Sequence, residues 1–368
     1  MAVGLIIFLL VYHAFVLYIG WNVWKGIKAF RPDLRRRWLV ALSAALLLAA
    51  WSMFARFRFS EYAWPHWAAG VWLTFAYLMV FILPLTNIVV LLFRIFSRID
   101  RRRLTRRATL TAAVLTLLAG AYGVYSAYSP VVRAYDVRID KPALDGRTEM
   151  KIVMAADTHF GALSGPSHAK RLVRLINEQQ PDLVLFPGDL VDDDIVQYVK
   201  QGIPEILRGI EAPVYASLGN HDRLEAGDTT LIRTLEDSGM TLLYDEVTSE
   251  GLPVTLIGRK DRTDAARLSV AELARQADPA SPLILLDHQP YELELAAQAG
   301  IDLEVSGHTH RGQIFPANFI TNRIYENDWG YLQKGKMDSI VTSGYGFWGL
   351  PFRIGTRSEL VVIDVSFK

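Results

Sequence analysis

Hydrophobic and polar positions divide the chain into two regimes that change over near Ser129. Before it, long apolar runs alternate with short basic segments; after it, short apolar runs alternate with amphipathic and polar stretches. The long runs predict four membrane-spanning helices, at about Val3–Trp24, Trp38–Phe54, Ala69–Leu92 and Leu110–Ala127, each near the ~20 residues a bilayer core requires. Ser129-Pro130 closes the fourth, because proline and the residue before it both disfavour helix. Residues 130–147 then read as a connector in which alternating Tyr135, Val137 and Ile139 form a first strand.

Residues 148–368 carry the pattern of one folded domain. Strand-like runs recur at Met150–Ala156, Leu183–Pro187, Val214–Leu218, Val254–Gly258, Leu283–Leu286, Leu303–Val305, Ile340–Ser343 and Leu360–Val365. Helical patterns at Ser167–Gln179, Val196–Arg208, Thr229–Ser238, Val270–Gln276 and Glu292–Gly300 separate several of them. Strands alternating with helices predict an α/β fold with much of its sheet buried. The later strands lack long helices between them, which predicts a second, partly antiparallel sheet.

The formal net charge of +1 averages two unlike halves and says little about partners. Its distribution says more. The first loop holds Lys25, Lys28, Arg31, Arg35, Arg36 and Arg37, and the third Arg94, Arg98, Arg101, Arg102, Arg103, Arg106 and Arg107; the second has Arg56 and Arg58 against Glu61. By the positive-inside rule the first and third loops are cytoplasmic, so both termini and the soluble domain lie on the periplasmic or extracellular side. No basic start or small-residue cleavage site accompanies the first run, and Trp21, Trp24 and a basic loop follow it, so it reads as an anchored helix and not as a signal peptide. His13, a lone polar group in that helix, is expected to hydrogen-bond to a neighbouring helix. The absence of cysteine excludes disulfides and thiolate metal sites. The soluble half has no basic run with interleaved aromatics, so no nucleic-acid partner is expected.

Six short segments carry the candidate chemistry: Asp157-Thr158-His159, Gly188-Asp189, Gly219-Asn220-His221-Asp222, Asp287-His288, Gly307-His308-Thr309-His310 and Gly312-Gln313. Asp157, Asp189, Asn220, His288, His308 and His310 all fall just after a strand-like run. In α/β sheets the carboxyl ends of strands are where ligand sites gather, so residues far apart in sequence converge there. Carboxylates, imidazoles and an amide oxygen suit Mn, Fe or Zn, and no soft donor is present for copper. The glycines at 188, 219 and 307 permit tight turns and close backbone approach. Five of the eight histidines lie in these segments, a clustering that core packing alone does not produce.

The ordered set Asp-x-His, Gly-Asp, Gly-Asn-His-Asp, His, Gly-His-x-His resembles the calcineurin-like metallophosphoesterase superfamily over about Glu149–Lys368. With the apolar half, the Gly307–Pro316 segment and the Ser343–Thr356 segment, it is similar to the membrane-anchored YkuE-like and transmembrane metallophosphoesterase branch. The resemblance implies a two-sheet sandwich flanked by helices (α/β/β/α) in an integral protein of a bacterial inner or cell membrane. It also implies two divalent metal ions (Mn, Fe or Zn). Asp157, His159 and His310 would hold one, Asn220, His288 and His308 the other, and Asp189 would bridge both. Metal-bound hydroxide would attack phosphorus, with His221 contacting the phosphoryl oxygen or protonating the leaving group and Asp222 orienting its imidazole. Asp287 and Arg311 depart from the family pattern, and Asp287 reads either as tuning the site or as selecting substrate. Arg311 reads either as a substrate selector or as a surface arginine. Arg353 reads either as a fork onto a substrate phosphate or as part of a packed loop with Tyr345, Phe347, Trp348 and Phe352.

The function expected is that of a membrane-anchored phosphohydrolase acting on a lipid-linked or membrane-proximal phosphoester or pyrophosphate. The alternatives are a phosphodiesterase acting on soluble nucleotides and a non-catalytic, metal-binding membrane scaffold. Orientation is directly testable: a reporter active only in the cytoplasm, fused after Lys368, is expected to be silent, and an active one would reverse the topology.

Overall fold

The computed structural model describes residues 2–97, 99–192, 195–222 and 229–368; Arg98, counted above in the third loop, lies outside them. The chain forms two compact units, Met1–Gly123 and Val124–Lys368.

The first unit consists of α1 (Ala2–Phe30), α2 (Arg37–Arg58), α3 (Ala63–Phe96) and α4 (Arg101–Tyr128), whose last residues enter the second unit. Each helix is long and apolar enough to cross a membrane. The apolar runs marked their centres, and the helices extend beyond them into the basic segments, where Arg56 and Arg58 lie in the last turn of α2. Where every outward face meets lipid, helices gain specificity from polar contacts. Tyr12 supplies one: its hydroxyl donates to Ala50 O of α2 (2.8 Å) and accepts from Trp72 Nε1 of α3 (2.7 Å). Asn87 Nδ2 donates to Tyr18 Oη (2.8 Å) and Asn22 Oδ1 (2.9 Å), linking α3 to α1. His13 departs from expectation: its Nδ1 faces Leu9 O of its own helix at 2.7 Å.

The second unit holds two six-stranded sheets. Its strands are β1 (Val131–Ile139), β2 (Glu149–Met154), β3 (Leu183–Pro187), β4 (Val214–Ser217), β5 (Met240–Leu242), β6 (Glu246–Thr248), β7 (Thr255–Gly258), β8 (Leu283–Leu286), β9 (Leu303–Ser306), β10 (Gly330–Lys334), β11 (Met337–Val341) and β12 (Glu359–Phe367). The first sheet runs β1-β12-β2-β3-β4-β5 and the second β10-β11-β9-β8-β7-β6. Pairing is parallel except for β12 with β2, β10 with β11, and β6 with β7. The second sheet is therefore parallel at its centre and antiparallel at both edges. The expected connector is largely a strand: β1 pairs with β12 from Val131↔Glu359 to Ile139↔Phe367.

Alternation along each strand builds three cores at once. Ile152 and Met154 of β2, with Leu183 and Leu185 of β3, face Ile284 and Leu286 of β8 and Leu303 and Val305 of β9 between the sheets. The intervening Val153, Val184 and Phe186 face outward onto Ala169, Leu172 and Ile176 of α5 (Pro166–Gln179). On the far side Leu283 and Leu285 meet Val270, Leu273 and Leu293. Sheets buried on both faces read as near-continuous apolar runs, as these do. The result is the expected α/β/β/α layering. The helix expected over Val196–Arg208 is instead Ile195–Lys200 and Ile203–Leu207, broken at Gly202 (φ 65°) just before Pro204.

Phe186→Ala removes a fully buried ring from the first sheet's outer core. It is expected to cost about 3–5 kcal/mol, read as a lowered denaturation midpoint of the detergent-solubilised protein.

Candidate metal centre

The carboxyl ends of β2, β3 and β4 in one sheet and of β8 and β9 in the other deliver their following residues to one place. Two clusters of donors result: Asp157, His159 and His310, and Asp189, His288 and His308, with the ligand atoms of each within 4.8 Å of one another. Asn220 joins the second through Oδ1, 2.7 Å from His308 Nδ1. His159 Nε2 and His310 Nε2 lie 3.2 Å apart, and His310 Nε2 is 3.6 Å from Asp157 Oδ1. Asp189 connects the clusters: its Oδ2 is 3.7 Å from His159 Nε2 in the first and 3.1 Å from His288 Nε2 in the second.

The backbone is bent to achieve this. Asp157, His159, Asp189, His308 and His310 all adopt left-handed φ, between 42° and 69°. Such conformations cost of order 1–3 kcal/mol each in non-glycine residues and persist where the surroundings impose them, characteristically at functional sites. Glycine is required where loops touch. A Cβ on Gly219 would collide with the Asp189 carboxylate, and one on Gly188, itself at φ 85°, would collide with the His288 ring.

Electrostatics separates the acids. Burial alone would raise the Asp189 pKa, but the charge of His288 and its hydrogen bond outweigh this and hold Asp189 well below the usual carboxylate range. Burial opposes charging of His288, yet the Asp189 charge and hydrogen bond push it up to about 10. His288 Nδ1 donates to Pro187 O (2.9 Å), which aims Nε2 at Asp189. Burial pushes Asp157 upward, against the pull of His288. His308 falls to about 4 and His310 falls well below its ordinary value, both through burial first and neighbouring positive charge second. At neutral pH His308 and His310 thus stand as neutral imidazoles, while His288 keeps its proton against the charged Asp189 carboxylate. Oxygen and imidazole donors at these distances fit Mn, Fe or Zn.

The remaining candidates divide. His221 donates its backbone N–H to Asp189 Oδ1 (2.8 Å), and its ring sits 5.0 Å from that of His159 and 5.9 Å from that of the exposed Trp348. Asp222 also has a structural role. Its described hydrogen bonds come from the backbone N–H groups of Leu190, Val191 and Gly219 (2.9–3.1 Å), so the carboxylate ties two site loops together. Arg353 is a correction. It is fully buried, and its guanidinium donates to the carbonyls of Ser343 (2.7 Å) and Gly346 (2.7 Å) and to His310 Nδ1 (3.1 Å), so it is the packed-loop reading that holds. Arg311 lies half-buried, 3.7 Å over the Trp329 ring. Asp287 is buried, its charge met by Arg259 (2.9 Å) and Arg267 (3.5 Å).

Sequence reading passed over two sets of residues. Asp192 Oδ1 lies 3.8 Å from His159 Nδ1, a supporting carboxylate signalled only by its place three residues after Asp189. The Tyr325 ring lies 6.0 Å from that of His308, and its hydroxyl bonds Tyr291 (3.0 Å), which Arg262 covers at 3.9 Å. No local pattern marks those three.

Comparison with known proteins agrees with this geometry. The calcineurin-like phosphoesterase family model matches residues 150–312, the stretch that contains every candidate metal ligand. The chain carries a calcineurin-like metallophosphoesterase domain. A zebrafish (Danio rerio) "transmembrane protein with metallophosphoesterase domain" is 27% identical over 389 residues, covering 97% of this chain and 88% of the relative. An "uncharacterized metallophosphoesterase" of Helicobacter pylori is 32% identical over 246 residues, covering 65% of each. The "uncharacterized metallophosphoesterase YkuE" of Bacillus subtilis is 26% identical over 285 residues, covering 72% of this chain and 99% of the relative. By family, the metallophosphoesterase domain is a metal-dependent phosphoester hydrolase, and the four helices that precede it are long and apolar enough to cross a membrane.

Loading a divalent metal at pH 7 must displace the proton that Asp189 holds on His288. Calorimetry in buffers of differing ionisation heat is expected to show about one proton released per site filled at His288. The sign follows from a pKa raised above neutrality, and proton uptake would contradict it.

Proposed function

We propose that the protein is a membrane-anchored, two-metal phosphohydrolase that cleaves phosphoester or pyrophosphate bonds in a substrate held at the membrane surface, such as a phospholipid or lipid-linked phosphate. The observation that carries the hydrolytic reading is Asp189 Oδ2, which faces an imidazole of each donor cluster at 3.7 and 3.1 Å. A carboxylate so shared is suited to holding two cations against one phosphoryl group. Asp157, His159 and His310 would hold one cation; Asn220, His288 and His308 would hold the other. When bound, such cations supply Lewis-acid charge and activate water.

The chain's own residues do the rest. His221, fixed to Asp189 through its backbone and standing at the exposed edge beside Trp348, is placed to give a proton to the leaving oxygen. Asp222 keeps its loop in register with the Asp189 loop. Arg353 supports His310 from behind. Arg311, braced on Trp329, supplies a cation for a non-reacting phosphate oxygen. The four helices favour a membrane-borne substrate by tethering, and the basic first and third loops favour a periplasmic or extracellular site. The aromatic rings of Trp348 and Tyr325 beside the donors favour a second reading, soluble nucleotide diesters, because a base stacks on such rings for ~1–3 kcal/mol.

The test compares a chromogenic phosphomonoester and phosphodiester, with and without Mn²⁺, using detergent-purified protein. Metal-dependent turnover is expected, and Asp189→Ala should lose more than the ~10–100-fold typical of a residue that merely supports a ligand. His221→Ala is expected to slow esters with poor leaving groups by ~10²–10⁴-fold at unchanged metal content. Turnover that survives Asp189→Ala would refute the two-metal reading.

A further inference from the structure

The helical unit carries a half-open pocket of about 500 Å³ that the phosphoesterase chemistry does not use. α1, α3 and α4 line it, and α2 contributes nothing. Ligand sites run to ~300–1,000 Å³, so it is large enough for part of a small amphiphile. It lies between helices that touch at its margin. A Cβ at Gly26 of α1 would strike Thr109 of α4, so these backbones are in close contact. Arg102 Nε and Arg106 Nε both donate to Ala29 O, at 2.8 and 2.7 Å, and tie the start of α4 to the end of α1.

The chemistry of the wall is graded. Its body is apolar, with Phe75, Met79, Leu83 and Leu117 among the lining residues, and no acidic residue lines it. Lys25 and Arg94 stand at the end that carries the basic loops. The neighbouring cations are already engaged: Lys28 on Pro32 O and Leu34 O, Arg102 and Arg106 on Ala29 O. Lys25 and Arg94 have no hydrogen-bond or ion-pair partner among the described residues.

An apolar pocket between spanning helices, with two cations on its lining that have no partner among the described residues, is complementary to a molecule with hydrocarbon at one end and a phosphate at the other. Basic pockets between membrane helices bind anionic headgroups in this way. We propose that the cavity binds an anionic phospholipid, its phosphate between Lys25 and Arg94 and an acyl chain against Phe75, Met79 and Leu83. A free phosphate would leave the apolar body unused, and a zwitterionic lipid would leave the cations partly unmet. The site is separate from the metal ligands, so it is tested by binding and not by turnover.

The experiment is native mass spectrometry of the full-length protein with phosphatidylglycerol, phosphatidylcholine or inorganic phosphate. Phosphatidylglycerol is expected to bind about thirtyfold more tightly than phosphatidylcholine, the combined effect of two cations near the membrane surface. Lys25→Gln with Arg94→Gln should reduce that preference to about twofold or less. Should that pair fail to fold, Ala113→Phe serves, because it fills the cavity from an otherwise exposed position and leaves the charges intact; it should abolish retention of either lipid. Equal binding of the two lipids by the native protein, an unchanged preference in the double variant, lipid retained by Ala113→Phe, or phosphate bound as well as phosphatidylglycerol would each overturn the proposal.

Discussion

Asp189 is a carboxylate that water barely reaches, and much of the second unit is arranged around keeping it charged. An unpaired ion in such surroundings costs several kcal/mol, so its partners must be brought to it. His288 arrives from β8, His159 from β2 and the His221 N–H from the loop after β4. Each comes from the end of a different strand, so β2, β4 and β8, drawn from both sheets, must be in place before the charge is met. The bare backbones of Gly188 and Gly219 leave the space this requires. The left-handed turns at Asp157, His159, Asp189, His308 and His310 are strain that the packing beneath them sustains.

The frame of this arrangement was legible because two local signals agree. Strands buried on both faces announce themselves as unbroken apolar runs, and β3 and β8 coincide with theirs. A polar, metal-suited residue directly after such a run has a placement as well as an identity. The donors Asp157, Asp189, Asn220, His288, His308 and His310 were readable on that ground, and their clustering follows from topology.

What escaped the sequence depends on contacts between distant segments. β5 and β6 are three residues long, too short for a period to show, and exist because neighbouring strands offer free edges. The break between Ile195–Lys200 and Ile203–Leu207 hangs on one left-handed glycine. Asp222 and Arg353 carried the right chemistry for catalytic work, but local sequence does not say which carbonyls and amides will lie within reach after folding. Arg353 satisfies backbone carbonyls of residues 343–346, and Asp222 satisfies amides of residues 190–191. The Tyr325–Tyr291–Arg262 stack is assembled from three separate loops, and nothing in any one of them foretells the others.

The strand order β1-β12-β2 has a consequence for how the protein is made. The two outer members of that trio leave the ribosome early, and the strand between them follows more than two hundred residues later, with Val131 opposite Glu359. Until β12 emerges, β1 has no neighbour in the sheet and β2 presents an open edge. Contacts of such long sequence separation slow folding and leave edges exposed to wrong partners. The first sheet therefore cannot close as the chain is extruded. It waits, unfinished and directly beyond a membrane helix, for the latest of its own strands to arrive.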